Sequence, residues 1–268
     1  MAKLHPLAVW SVLRDVRSAA THVQPLVVDG ALAEQLAKEL ARDAAPGAVR
    51  VGGRVEDAAV LVRVLAGAPS EEDVRELRAA SRAGVPVVAV QTAPEDFDVP
   101  YVLATDVVAS RPGAGFPVEA LAAIVAARLG DEAIGLAARV PALRDAVCAA
   151  LIERFSRRNG LAGVAIFVPG ADFPVLTLNQ IRLVLRLAAA HGVELDQRRV
   201  PEVLATVGAG LGFRTLARTI LGVVPVAGWA VRGAVAYGGT KALGEAALRY
   251  FAQASTPASA VPMARAHP

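Results

Sequence analysis

Cysteine is almost absent from this chain. Cys148 stands alone in 268 residues, so no disulfide can form within the chain, and the composition fits a reducing compartment. Aromatic residues make up only 4%, and Ala and Val supply much of the apolar content. The four histidines, His5, His22, His191 and His267, lie far apart at no metal-ligand spacing, so the sequence predicts no metal site. Blocks of Lys or Arg are missing too. With a net charge of +3 and a pI near 9.4, the scattered arginines leave no nucleic-acid footprint. No charge-free apolar run reaches the length of about 20 residues that spans a bilayer. The nearest, Thr219 to Val231, is flanked by Arg218 and Arg232 and is expected to be buried or re-entrant. Arg14 and Asp15 interrupt the first apolar stretch, and no clean cleavage motif follows, so no secretory leader is expected. Val9, Leu13, Val16 and Ala20 recur instead at helical spacing and predict a short amphipathic helix within residues 1–22.

What remains is rich in buriable surface. Apolar residues are 54% of the chain, charged residues 20%, and the mean hydropathy is +0.46. Such a chain folds rather than staying disordered.

Residues 23–130 alternate between two periodicities. "QPLVVDG" is a short apolar run ending at Asp29-Gly30, and "LAEQLAKELARDA" after it puts Leu32, Leu36 and Leu40 on one helical face. "GAVRVGG" and "AAVLVRVLAG" read as further strands. "SEEDVRELRAASRAG" opens with the capping pair Ser70 and Asp73. "VPVVAVQT" is a continuous apolar strand of the kind covered on both faces, and "VPYVLATDVVAS" reads as another strand. "FPVEALAAIVAARLG" has Pro117 near a helix start and Gly130 just past its end. Strands alternating with helices predict an α/β fold with a doubly wound, mostly parallel sheet.

That architecture carries ligands at the carboxyl ends of its strands, and the first strand-to-helix corner lacks the residues to hold one. A P-loop needs G-x-x-x-x-G-K-[ST], whose backbone N–H groups curl round phosphates while Lys meets their charge. The chain has "DGALAEQLAKEL" there, with no second glycine, no Lys-Ser pair and no dehydrogenase-type glycine cluster. No cofactor is expected.

Residues Ala58 to Ser110, including "VRVLAGAPSEEDVRELRAASRAGVPVVAVQT", resemble the later half of a Ras-like GTPase domain. A flavodoxin-like α/β domain fits the same pattern. In the GTPase reading the last strand shown precedes the guanine-reading motif. Thr92 and Asp96 are present there, but no Lys stands between them at motif spacing. The resemblance implies a degenerate, GTPase-like scaffold without phosphate or base contacts.

From Asp131 the pattern becomes helical. "DEAIGLAARVPALRDAVCAALIERFSRRNG" predicts helices broken at Pro141 and closed by Asn159-Gly160. Helical spacing resumes through Ile181, Val184 and Leu185 and stops at Gly192. An all-α helical domain is expected over 131–253, and the small, Pro-rich residues 254–268 predict a disordered tail. Three segments, "PGADFPVLTLNQIRLVLRLAAAHG", "GAGLGFRTLAR" and "VPVAGW…AYGGTKALGEAALRYF", fall in order between Pro169 and Gln253. Together they resemble the bacterial YcjF-like domain of unknown function. That resemblance implies a helical bundle, a GTPase as neighbour or partner, and association with a membrane. Well-known members carry transmembrane helices ahead of this domain, whereas an α/β unit stands there in this chain.

Two motifs suggest an oxidoreductase. Gly208, Gly210 and Gly212 alternate, but the sixth position of a Rossmann loop is Phe213 and the preceding "RVPEVLATV" is helix-friendly. Gly208 and Gly212 fit G-x-x-x-G, which lets two helices approach closely. Tyr237 and Lys241 have the Tyr-x-x-x-Lys spacing by which Lys lowers a phenol's pKa. No Ser lies about a dozen residues upstream of the Tyr, and a helix with a partly buried Tyr and a surface Lys is the plainer expectation.

Asp172 is placed to cap the helix after it. Asn179, Gln180, Arg182 and Arg186 fall within an apolar helix, with Arg182 and Arg186 on one face. They predict a solvated stripe or a polar seam between helices or domains. Arg214, Arg218 and Arg232 flank apolar segments and either snorkel to headgroups or mark a solvent face. Asp172, Asn179, Gln180, Arg182, Arg214, Arg218 and Tyr237 are the candidate interaction residues.

The functional expectation is a non-catalytic interaction or regulatory protein, cytoplasmic and peripheral to the inner face of a bacterial membrane. Its partner would be another protein, a GTPase among the choices, or a second copy; nucleic acid is not expected. A divergent GTPase, a reductase using Tyr237 and Lys241, and an integral membrane protein are the alternatives.

Overall fold

The computed structural model describes residues 6–21, 24–95, 97–110, 113, 115–165, 173–195 and 229–255. Helix α1 (Pro6–Ala20) leads into strand β1 (Leu26–Gly30), α2 (Ala33–Leu40), β2 (Val49–Val51), β3 (Val60–Leu65), α3 (Glu71–Ala83), β4 (Val87–Gln91) and β5 (Val107–Ala109). Helices α4 (Val118–Leu129), α5 (Ala133–Arg139), α6 (Arg144–Ala165), α7 (Phe173–Ala190) and α8 (Trp229–Ser255) follow. The protein is thus an α/β fold followed by helices.

All pairings in the five-stranded sheet are parallel, in the order β2-β1-β3-β4-β5. This is the flavodoxin-like doubly wound order, with its switch point between β1 and β3. The connection from β1 to β2 runs through α2 on one face, and that from β3 to β4 through α3 on the other. Between β2 and β3 the chain crosses through a single 3-10 turn, Val55–Asp57.

Side-chain alternation divides the core. Leu26, Val28, Val60, Val62, Val64, Val88 and Val90 face one large cluster, which continues without a break through α1, α2 and α4 to α8. Val27, Leu61, Leu65, Val87 and Ala89 face a smaller one with Leu77 and Ala80 of α3. Val12, Leu13 and Val16 form the buried stripe of α1, while Arg14, Asp15 and Arg17 face water.

Local chemistry fixes most element ends. Ser70 and Asp73 form a reciprocal capping box at α3, and Gly84 closes that helix in the left-handed region. Pro117 occupies the N-cap of α4, with Gly130 just beyond its last residue.

Three expectations change. Leu32 does not join Leu36 and Leu40 on the buried face of α2, because it precedes the helix in the left-handed region and stays exposed. "VPYVLATDVVAS" yields only the short β5, because Tyr101 is left-handed at φ 66 and Ala104–Asp106 forms a 3-10 turn. Asn159-Gly160 does not end a helix. Helix α6 runs through it to Ala165, because the Asn159 side chain bonds to neighbouring helices and Gly160 lies where α8 crosses closely.

Candidate functional site

The carboxyl ends of β1 and β3, at the switch point, are where a doubly wound sheet offers a ligand site. Asp29 and Gly30 end β1, and Arg63 stands beside them on β3 in register with Asp29. Arg63 points onto the smaller-core face, is almost fully buried, and is held between two carboxylates. Its Nη1 donates to Asp29 Oδ2 at 2.6 Å and its Nε to Asp73 Oδ1 at 2.9 Å, with Nη2 also 2.7 Å from Asp73 Oδ1. Asp73 accepts from the Ser70 N–H and hydroxyl through Oδ2. Burial works to raise the Asp73 pKa, but the bonds from Ser70 and Arg63 outweigh it and hold the carboxyl below its ordinary range.

The backbone at this corner is equally committed. Gly30 N–H donates to Asp29 Oδ1 at 2.7 Å, and Ala31 N–H donates to the Val64 carbonyl at 2.9 Å. A phosphate cradle requires such N–H groups to point at the ligand. Gly30, at φ 93, lies so near β3 that a Cβ there would stand 2.3 Å from the Val64 oxygen. Leu32, at φ 56, precedes α2 without a side-chain cap, and its side chain is 47% exposed.

The ends of the other strands are also tied inward. Gln91 donates to the Phe97 carbonyl at 2.7 Å. Thr92, a residue of the guanine-motif comparison, donates through its N–H to Leu65 O at 2.9 Å. Asp96 lies outside the described residues. Asp106 accepts from Arg128 at 2.8 Å and pins α4 to the sheet edge.

Among the helices, Asn179 is buried and hydrogen-bonded. Its amide donates to Asn159 Oδ1 at 2.8 Å, and Asn159 Nδ2 donates to Thr240 Oγ1 at 2.8 Å. The Thr240 hydroxyl then donates to Ala236 O. A buried polar seam thus joins α6, α7 and α8. Gln180 is buried beside Asn179 in sequence, and Arg182 is half-buried. Asp172, Arg214 and Arg218 lie outside the described residues, as do Gly208, Gly210 and Gly212.

Tyr237 donates to Glu153 Oε2 at 2.9 Å, and Arg157 donates to the other Glu153 oxygen at 2.6 Å. The bond to Glu153 raises the phenol's pKa, the direction opposite to that needed by a Tyr/Lys proton-transfer pair. Across α6, Cys148 Sγ is 4.0 Å from His191 Nδ1, but that nitrogen is 2.9 Å from Leu187 O. It therefore donates to a carbonyl and cannot accept the thiol proton. Burial, with Asp145 adding to it, pushes the Cys148 thiol up to about 12, and burial lowers His191.

Sequence reasoning passed over Arg63 and Asn159. The signal for Arg63 was its place inside the apolar run "VLVRVL", since a charge buried in a strand must be paired. Asn159 carried no comparable signal, because Asn-Gly also closes helices.

Among the described residues, no cluster of His, Cys, Asp and Glu is able to hold a metal ion, and no helix is long and apolar enough to cross a membrane. No protein-family model matches the chain, and no curated protein matches it.

Proposed function

We propose that the chain is a non-catalytic interaction or regulatory protein working through a protein partner, with a GTPase as the leading partner class. Its setting is the cytoplasm at the inner face of a bacterial membrane, with peripheral contact. The YcjF-like resemblance of Pro169–Gln253 supplies the partner class and the membrane setting. The degenerate GTPase-like or flavodoxin-like sheet supplies a scaffold.

One observation carries this reading. At the switch point, Gly30 and Ala31 N–H are bonded within the chain and Arg63 is neutralised by Asp29 and Asp73. An anionic cofactor would have to break an ion-pair network and a strand pairing to find donors there. The Tyr237–Glu153 bond supports the same reading, because it tunes the phenol away from proton transfer.

Calorimetry of the full chain with GTP, ATP and NADPH tests it. No saturable binding at the β1–α2 corner is expected. A nucleotide ordered against Val28 to Leu32 in a crystal would overturn the proposal in favour of a divergent GTPase or reductase. Carbonate extraction tests the setting. Release into the supernatant is the expected result, and retention in the membrane pellet would make the chain an integral membrane protein.

A further inference from the structure

At the turn after α4, two arginines share one carboxylate. Asp131 follows Gly130 at the end of α4 and is clasped by two arginines. Its Oδ1 accepts from Arg154 Nη2 on α6, and its Oδ2 is 2.8 Å from Arg186 Nη2 on α7. The Phe155 ring packs against both cations, its centroid 5.8 Å from Arg154 Cζ and 5.2 Å from Arg186 Cζ.

Arg182 lies one turn before Arg186 on the same face of α7. Burial lowers the Arg186 pKa and Asp131 opposes that. The like charges of Arg154 and Arg182 add to the lowering, with Asp15 of α1 as the lesser opposing carboxylate. Two arginines at this cluster keep N–H groups without a protein acceptor among the described residues. Arg182 has neither an ion pair nor a hydrogen bond, and Arg186 Nε is buried with no acceptor. A buried guanidinium donor without an acceptor is costly.

We propose that Arg154, Arg182 and Arg186 form a binding site for a phosphate-type oxyanion, with Asp131 the internal stand-in that the ligand displaces. Two oxygens of one carboxylate already engage Arg154 and Arg186. The Arg182 fork and Arg186 Nε call for more acceptor oxygens than a carboxylate has, and a phosphate supplies them in a geometry that suits guanidinium groups. A dianion also balances the excess positive charge better than a single carboxylate does. Asp131 is partly exposed and sits in the turn after α4, so it is able to swing out. Its release would unclasp the end of α4 from α6 and α7, which makes the anion a regulator of the junction. This site lies apart from the switch point, and the proposal does not depend on the reading of that corner.

Titration calorimetry of the full chain with inorganic phosphate at low ionic strength tests it. Saturable binding is expected. Asp131→Asn removes the internal competitor and should tighten binding several-fold, whereas loss of a merely structural clasp would not. Arg182→Gln should weaken binding by about tenfold, the worth of one charge-assisted hydrogen bond, with an unchanged circular-dichroism melt. Because Arg182 takes no part in the clasp, that variant decides the matter even if Asp131→Asn fails to fold. Absence of saturable heat through the millimolar range, or binding unchanged by Arg182→Gln, overturns the proposal. Sedimentation with phosphatidate vesicles but not phosphatidylcholine vesicles identifies a lipid headgroup as the source. Phosphate binding without sedimentation identifies a soluble phosphate. Nucleotide heats abolished by Arg182→Gln report this site, and heats that persist report the β1–α2 corner.

Discussion

Asn179 on α7 donates its amide proton to the Asn159 side chain on α6 at 2.8 Å, inside the bundle and away from water. Asn159 in turn donates to Thr240 on α8, so three helices are held in register by one relay of side chains. Such a network is stabilising only while every member is satisfied.

Asn159→Ala is therefore expected to cost about 2 to 3 kcal/mol, since it leaves the Asn179 donor buried without its acceptor and deprives Thr240 of a donor. Urea denaturation of the variant against the parent checks this. A midpoint unchanged by the substitution would show that the seam contributes nothing to stability.

Two glycines of α8 should respond to alanine with opposite signs. A Cβ at Gly244 would stand 2.7 Å from Ile152 Cγ1 and 3.2 Å from Leu183 Cδ2, whereas one at Gly238 meets nothing within 4 Å. Alanine gains up to about 1 kcal/mol over glycine in a helix interior, so Gly238→Ala should raise the thermal midpoint. At Gly244 the overlap with α6 outweighs that gain, and the midpoint should fall.

At the switch point, Arg63→Met should destabilise by about 3 kcal/mol or more, because it strands Asp29 and Asp73 beside each other without a cation. Stability should also depend on acid there. The folded Asp73 pKa lies below its ordinary value of 3.8. Its contribution is therefore complete above that value and is lost as pH falls through the lower folded value. Unfolding free energies measured at neutral pH and at acid pH should therefore differ more in the parent than in Asp73→Asn.

The fold was legible where a local signal had one meaning. Ser70 and Asp73 announced α3, Pro117 and Gly130 bracketed α4, and "VPVVAVQT" announced a strand buried on both faces. The empty phosphate motif was legible too, since a P-loop is a contiguous string. Strand order was not, because which strand lies beside β1 depends on the crossover faces, and two doubly wound orders shared the same pattern. Asn159-Gly160 misled because its local meaning, a helix stop, yielded to tertiary partners sixty or more residues away at Gly233 and Thr240. Arg63 was readable as a buried charge, but its partners Asp29 and Asp73 come together only once the sheet forms.

Cys148 should resist modification. With its thiol raised to about 12 and its side chain buried, almost no thiolate exists near pH 8. Ellman's reagent should react with the native protein orders of magnitude more slowly than with the protein in guanidinium. Rapid labelling under native conditions would mean that the contact between α6 and His191 opens on its own.

The two faces of the sheet are unequally insulated. One is backed by a continuous apolar mass reaching from α1 to α8, and the other by α3, one 3-10 turn and the loop after β4. Deuterium should accordingly enter the amides of Val55–Ala58 and the loop before β5 long before it reaches α6. Insertions and grafted peptides should likewise be tolerated on that lightly clad side, while the opposite side keeps the whole molecule's shape.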